Sequence, residues 1–327
     1  MKKVAVIGAG IAGVVCAHYL NEYGFNVILF DKSRGVSGRS TTKRFFNVDN
    51  GIDMGVPYIY KREISEFMKP LINDLNQHKV LTKWEKIKKE NAQIFKDDTF
   101  VGIPKMSRIA RYFSSDLQLN STQRVNKIKK VINKWLISTE TDQFDSFDTI
   151  IFAIPSPQLI EIEGIPKDLT EKLTKNIQFK AINTFLIETS RPLWTGIENE
   201  AVFNDSIINK IIANYKKPQR DNSRYTYAIH ANSKWSTETF EELSIKEIEK
   251  KIYAELKQQF NLDKKEVVET LLHRWKYAIP VKENTVLENH YFQSEIEPSI
   301  FACGDWCYKP TFASAMETGY LLAKSLK

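Results

Sequence analysis

The sequence of 327 residues is poor in the residue types that build metal sites and disulfide frameworks. Its three cysteines, Cys16, Cys303 and Cys307, are an odd and small number, which argues against a disulfide scaffold and for a reducing, cytoplasmic location. Five histidines occur without any His-x-x-x-His or Cys-x-x-Cys spacing, and His18, His78 and His290 are isolated, so no metal is expected. The uncharged stretch Val4–Ala17 falls short of the ~20 residues that cross a bilayer. Lys2 and Lys3 before it resemble the opening of a secretory signal. No small-x-small cleavage site follows, so the segment reads as a retained strand and helix with no membrane contact. Acidic residues are outnumbered, 40 against 47 basic ones, for a net charge of +7. The basic pairs, such as Lys88-Lys89 and Lys250-Lys251, are nevertheless scattered, without a dense tract or an RNA-binding signature, and no nucleic-acid partner is expected. The surplus would instead help attract a doubly phosphorylated small molecule. There is no internal repeat and no low-complexity linker. With 42% hydrophobic residues, the chain can bury a sizeable core and reads as two domains.

What is present is concentrated at the two ends. VAVIGAGIAGVVCAHYL, from Val4 to Leu20, is a short apolar strand followed by Gly8, Gly10 and Gly13 in the spacing G-x-G-x-x-G. The first glycine lets the chain turn, the second lets backbone approach a pyrophosphate, and the third lets helix and sheet pack closely. Gly8, Ala9, Gly10, Ile11, Ala12 and Gly13 thus form a phosphate turn leading into a helix N-terminus, whose free N–H groups and dipole favour an anion. A second apolar strand, Asn26–Phe30, ends in Asp31, close to the ~20-residue offset of a ribose-binding carboxylate. Strand, glycines, helix, strand and acid in register predict a dinucleotide-binding βαβ unit.

Lys32 to Arg39, KSRGVSGR, continues this unit with a basic, glycine-rich turn. Flavoproteins of the glutathione-reductase and amine-oxidase type carry Gly-Gly-Arg here. Gly38 allows close backbone approach, and Arg39 offers phosphate a planar, charge-assisted fork. At the far end, Ser299–Asp305 reads as a strand ending in Gly-Asp, and Ala313–Leu326 as a helix. In FAD proteins of this class the late Gly-Asp lies beside the ribityl chain, and the helix aims its positive end at the N1/C2=O edge of the flavin.

The chain resembles the renalase-like family of flavoproteins, within the amine-oxidase superfamily. The resemblance runs through FDKSRGVSGR at 30–39, Asp53-Met54-Gly55 with Tyr58, VGIPKMSRIARYF at 101–113 and FAIPSPQ at 152–158. It continues through His230-Ala231 with Trp235-Ser236, HRWKYAIP at 273–280 and CGDWC at 303–307. Three departures stand out. The family's usual second glycine before Gly38 is Ser37. The acid-x-Gly-Ala-Gln-Tyr run reads Asp53-Met54-Gly55-Val56-Pro57-Tyr58. The start of the last helix reads Thr311-Phe312-Ala313-Ser314-Ala315.

The resemblance implies an α/β chain with a Rossmann-type FAD-binding domain interleaved with a smaller α+β substrate domain. The FAD domain would take 1–60, 102–160 and 278–327, and the substrate domain 61–101 and 161–277. Strands are expected over Thr122–Lys129, Lys134–Ser138, Thr149–Ala153, Ala181–Glu188, Ala201–Asn204 and Tyr225–His230, with a surface helix over Glu241–Phe260. The implied cofactor is noncovalent FAD, held by the phosphate turn, Asp31, Lys32, Gly38, Arg39, Asp305, Ala313 and Ser314, with Val125 against adenine. His230, Tyr58 and Trp306 are the implied catalytic residues.

Alternatives stay open for several of these side chains. His230 either orients the donor ring or simply caps its strand. Trp306 either lines the flavin pocket or anchors the last helix, and Trp275 and Tyr277 read equally as core aromatics. Arg62 reads as a surface arginine or a phosphate contact. Cys307-Tyr308 is similar to the pair that carries covalent flavin in monoamine oxidases. The implied activity is hydride transfer from 2- or 6-dihydro-NAD(P) isomers to flavin N5, with dioxygen as acceptor and hydrogen peroxide as product. A small-amine or amino-acid oxidase, and a flavin-binding protein without turnover, are the competing readings.

Overall fold

The computed structural model describes residues 1–45, 48–90, 93–282 and 290–327. Strand β1 (Lys3–Ile7), helix α1 (Ile11–Glu22) and strand β2 (Asn26–Phe30) form the expected unit, with β1 and β2 parallel and Val4 opposite Val27. On its other side β1 pairs in parallel with Thr149–Phe152, which pairs with Ile300–Ala302. Gln118–Asn120 and the antiparallel Phe292–Gln293 complete a six-stranded sheet. These strands read as unbroken apolar runs because both faces of the sheet are covered. Successive side chains point to opposite faces. Val4, Val6 and Leu29 pack against α1 and the last helix, while Ala5, Ile28 and Phe30 pack against Trp135, Ile137 and Phe147 of a three-stranded antiparallel layer.

That layer contains Val125–Val131 and Lys134–Thr139, as expected within a few residues, and also Gln143–Phe147, which the sequence reading omits. The last helix, Phe312–Ser325, lies across α1. A Cβ on Gly319 would come within 2.2 Å of the Ala12 carbonyl oxygen, so glycine at this crossing lets the two helices meet. Their N-terminal ends thereby face one cavity. Among the described residues, no helix is long and apolar enough to cross a membrane.

The second large sheet has eight strands. In spatial order they are Val267–Lys282, Ile177–Thr189, Tyr225–Ala231, Ile208–Ala213, Glu200–Val202, Leu81–Glu90, Gln93–Gly102 and Ile59–Tyr60. One face, with Phe185, Ile187, Tyr227 and Ile229, is covered by the helix Ile245–Phe260. This helix starts later than the expected Glu241, because Ser244 and Glu247 form a reciprocal capping box. It buries Ile248, Ile252 and Leu256, one apolar side chain per turn, each contributing ~1.5–3 kcal/mol. The opposite face carries Leu186 and Ala228 against Ile52 of the paired strands Thr42–Phe45 and Val48–Asp53, and against Met54, which follows them. The hairpin of Leu81–Glu90 with Gln93–Gly102 escapes the sequence reading because Lys86, a charged residue, is fully buried in it.

Candidate active site

The phosphate turn leaves β1 at Gly8, whose N–H donates to the Phe30 carbonyl, and enters α1 at Gly10. Gly13 lies directly under Gly8: a Cβ there would approach the Gly8 oxygen to 1.9 Å. At Gly10 the same test meets nothing within 4 Å. The helix entrance therefore opens onto free space, and no side chain caps its first N–H groups. Asp31 accepts hydrogen bonds from the Ala9 N–H and the Ser33 N–H, both at 2.7 Å, which ties the end of β2 to the turn. Ser37 donates its N–H to the Ala9 oxygen, and Gly38 sits over Gly10. Lys32 reaches Gln158 at 3.2 Å.

From this turn a cavity of about 960 Å³ extends to the eight-stranded sheet. This lies near the upper end of single-ligand pockets, ~300–1,000 Å³, as an extended dinucleotide requires. Gly10, Asp31, Lys32 and Val125 form one end. Arg39 and Asp305 lie on the wall, joined by a two-armed ion pair of 2.6 and 2.7 Å, with a third bond from Arg39 to the Ala278 oxygen. The open glycine cradle, the helix N-terminus and the ribose acid fit an FAD running along this cavity.

The start of the last helix is arranged differently from the expectation. Pro310, Thr311, Phe312 and Ala315 line the cavity, whereas Ala313 and Ser314 turn into the core. The Ser314 N–H is capped by the Thr311 hydroxyl at 3.1 Å. Thr311 is the N-cap, and that choice rotates the next residues inward.

The sheet end of the cavity is lined by Tyr58 and His230 of the expected set, and by residues the sequence reading does not single out. His230 is buried beside the Met54 backbone, and its Nε2 has no hydrogen-bond partner. Burial, helped by Lys210 and Lys217, brings its pKa down to about 3, so the ring is neutral. Tyr58 donates its hydroxyl to Glu200 at 2.7 Å. Glu200 is countered by Lys86, whose ammonium also bonds the Tyr60 hydroxyl at 2.6 Å. Burial and the Glu200 charge both push the Tyr58 phenol up, so it stays protonated.

Trp306 belongs to the wall and to the core together. It is 1% exposed, and its indole N–H donates to the Ile154 oxygen at 3.0 Å. Trp275 and His273 also line this end, and burial lowers the His273 pKa.

Two further expectations resolve. Arg62 is a surface residue: it pairs with Asp97 at 2.6 Å, stacks on Tyr60 and does not line the cavity. Cys307 is fully buried, its sulfur facing the Ala302 oxygen and away from the cavity.

Behind the site, Asp53 is buried with Lys217 at 2.9 Å and Arg220 at 2.7 Å. It also accepts from the Thr42 hydroxyl and the Met106 N–H. Burial alone would raise its pKa, but the two cations outweigh that and hold it well below the usual carboxylate range. This cluster joins the Thr42–Asp53 hairpin to residues around 106 and 217–220, and so fixes the neighbouring Met54 and Gly55. The sequence signals Asp53 through the family-like Asp53-Met54-Gly55 run, but not its pairing with Lys217 and Arg220.

Among the described residues no group of His, Cys, Asp and Glu could hold a metal ion. Comparison with known proteins agrees with the geometry. The chain matches a family model for an NAD(P)-binding Rossmann-like domain over residues 6–75, and one for flavin containing amine oxidoreductase over residues 72–326. It is 28% identical to renalase of Mus musculus over 175 residues, which is 50% of each chain. It is 46% identical to the flavin-containing amine oxidase A of Sus scrofa over 59 residues, 18% of this chain and 11% of that one. The chain thus matches half or less of the length of these curated relatives.

Cyclohexylamine oxidase from Brevibacterium oxydans IH-35A superposes with a TM-score of 0.77 at 10% identity, covering 99% of this chain and 98% of that one. Putrescine oxidase bound to putrescine superposes with a TM-score of 0.71 at 13% identity, with the same coverage of 99% and 98%. At such identities the two structures establish the fold. The second family model spans well over half the sequence, and it includes His230, Trp275 and Asp305 of the cavity wall. The chain therefore belongs to the flavin containing amine oxidoreductase family, and its cofactor is FAD.

Proposed function

We propose that the protein is an FAD-dependent oxidoreductase of renalase-like type, which removes a hydride from dihydronicotinamide dinucleotides reduced at the 2- or 6-position and returns NAD(P)⁺. When bound, FAD would supply the hydride acceptor, and dioxygen with one proton would reoxidise it to give hydrogen peroxide. The observation that carries the reading is His230, a neutral ring whose unpartnered Nε2 belongs to the wall of the sheet end of the cavity. A neutral imidazole can exchange one hydrogen bond with a carboxamide. It does not repel the positive charge that develops on a nicotinamide ring as hydride leaves. Tyr58, fixed by its bond to Glu200, walls the donor end, and Trp306, fixed by its bond to Ile154, belongs to the cavity wall nearer the dinucleotide turn. A tightly walled donor is held near its ~3–3.5 Å reacting distance. Turnover rather than passive flavin carriage is supported by the continuity of the cavity from the dinucleotide turn to His230.

A second reading is oxidation of a small amine or amino acid. It draws on the aromatic side chains Tyr58 and Trp275 at the same end, and on the amines named for the two structural neighbours. Anaerobic mixing of the oxidised protein with a panel of donors, followed by flavin absorbance, separates the two. The 2- and 6-dihydro isomers are expected to bleach the flavin quickly, and 4-dihydro-NADH and amines slowly. Faster bleaching by primary amines overturns the dihydronicotinamide reading.

A further inference from the structure

The eight-stranded sheet places one row of polar side chains across three ladders. Lys210 of Ile208–Ala213 is opposite His230, His230 is opposite Thr184, and Thr184 is opposite His273. Residues directly opposite in antiparallel strands have Cα atoms ~4.5–5.5 Å apart, so the four side chains stand side by side on one face. All four line the sheet end of the cavity. Two residues further along each strand, the same face carries Leu186 and Ala228, so the polar row is a local interruption of an apolar surface.

Two features of this row call for a ligand. Thr184 is fully buried, yet its hydroxyl has no hydrogen-bond partner, and the neighbouring His230 Nε2 has none either. Buried polar groups are ordinarily satisfied, because leaving them unpaired is costly. Lys210 is half-buried and forms no ion pair among the described residues, unlike the buried Lys86 and Lys217. Its ammonium lies 5.5 Å from the centre of the Tyr58 ring, within the cavity wall. Glu63 feels its charge without contacting it.

We propose that Lys210 and Thr184 set substrate choice: Lys210 holds an anionic group of the substrate, and Thr184 hydrogen-bonds the polar substituent of its ring beside His230. The proposal rests on the reading that a flat donor ring occupies the His230 end. The anionic group is a phosphate if the donor is a nucleotide and a carboxylate if it is an amino acid. A cationic amine without such a group would meet an unpaired lysine.

The test is calorimetric titration of the oxidised FAD-loaded protein with nicotinamide mononucleotide, nicotinamide riboside and L-phenylalanine. Lys210→Met is expected to weaken the mononucleotide about tenfold and to leave the cationic riboside bound at least as tightly as by wild type. Lys210→Arg should restore most of the loss, which a purely structural lysine would not predict. Thr184→Val should weaken mononucleotide and riboside alike, by roughly threefold to tenfold. Loss of phenylalanine binding alone in Lys210→Met keeps the lysine assignment, identifies the anion as a carboxylate and moves the function to the amino-acid reading. Equal binding of all three probes by wild type and Lys210→Met, at unchanged FAD content, overturns the proposal, as does failure of wild type to bind any of them.

Discussion

Arg39 and Asp305, 266 residues apart in the sequence, meet in a two-armed ion pair that joins the turn after β2 to the Gly-Asp before the last helix. The sequence suggests a fork to phosphate for Arg39, but both terminal nitrogens are engaged with Asp305, one of them also with the Ala278 carbonyl. The guanidinium thus clamps together, on the cavity wall, the two distant chain segments that carry the cofactor motifs. Arg39→Ala removes charged hydrogen bonds worth ~1.5–3 kcal/mol and leaves Asp305 short of partners. FAD affinity of the apoprotein should fall at least about tenfold by fluorescence titration. Arg39→Lys, which lacks the planar fork, should recover only part of it. Unchanged affinity in Arg39→Ala would show that the clamp lies outside the cofactor site.

Asp53 is the keystone behind the donor end, because Lys217 and Arg220 are as buried as the carboxylate itself. Removing one partner of such a cluster leaves uncompensated charge, at a cost of ~3–5 kcal/mol. Asp53→Asn should show that loss in urea unfolding. Its pH dependence has a definite sign. The folded pKa of Asp53 is depressed, so its contribution is complete above the unfolded value of ~3.9 and is lost as pH falls below it. The stability gap between wild type and Asp53→Asn should therefore narrow on acidification below about pH 4.

Ser37 holds a backbone φ of 116°, a region natural to glycine. Its hydroxyl makes only a long bond of 3.4 Å to the Ser107 oxygen. Such strain costs on the order of 1–3 kcal/mol. Ser37→Gly should relieve it and raise the urea midpoint by the equivalent of about 1 kcal/mol, after loss of the weak bond and added chain entropy. A lower midpoint would show that the hydroxyl outweighs the strain.

Much of this molecule is legible along the chain, because its cofactor motifs are local. β1, α1 and β2 sit where the glycine spacing puts them, and the Gly-Asp strand pairs into the same sheet. Each depends on residues within a few positions of one another. The donor end is different in kind. Lys210, His230, Thr184 and His273 become neighbours only through strand register, and register is set by packing over the whole sheet. Lys86 and Glu200, both buried, look in sequence like surface charges and are paired across 114 residues. The inward turn of Ala313 and Ser314 follows from the Thr311 cap, a single hydrogen bond that helix periodicity alone does not specify.

His230 titrates far below its ordinary range, at about 3, because burial and nearby lysines disfavour its charge. Between ~6.5 and this value the unfolded chain takes up a proton that the folded one does not, so His230 makes stability fall as pH falls through that window. His230→Gln should lose less stability than wild type between pH 7 and pH 5 in urea unfolding. The same neutrality predicts a flat rate of anaerobic flavin bleaching from pH 5 to 8, without an inflection near ~6.5. An inflection present in wild type and absent from His230→Gln would mean that the ring titrates in the loaded enzyme.

Gly10 and Gly13 stand three residues apart in one motif, yet their substitution should fail in different ways. A Cβ at Gly13 would come within 1.9 Å of the Gly8 carbonyl oxygen, a backbone atom that cannot move without displacing β1 from α1. Gly13→Ala should therefore lower the stability of the apoprotein itself, despite the ~1 kcal/mol that alanine gains over glycine inside a helix. At Gly10 an added Cβ meets no protein atom within 4 Å and projects into the space where the phosphates pass. Gly10→Ala should leave the urea midpoint of the apoprotein close to that of wild type and greatly reduce its FAD content. The comparison needs only urea unfolding of the two apoproteins and the flavin absorbance of the purified variants. If Gly10→Ala retains FAD at the wild-type level, the helix entrance is not where the pyrophosphate binds.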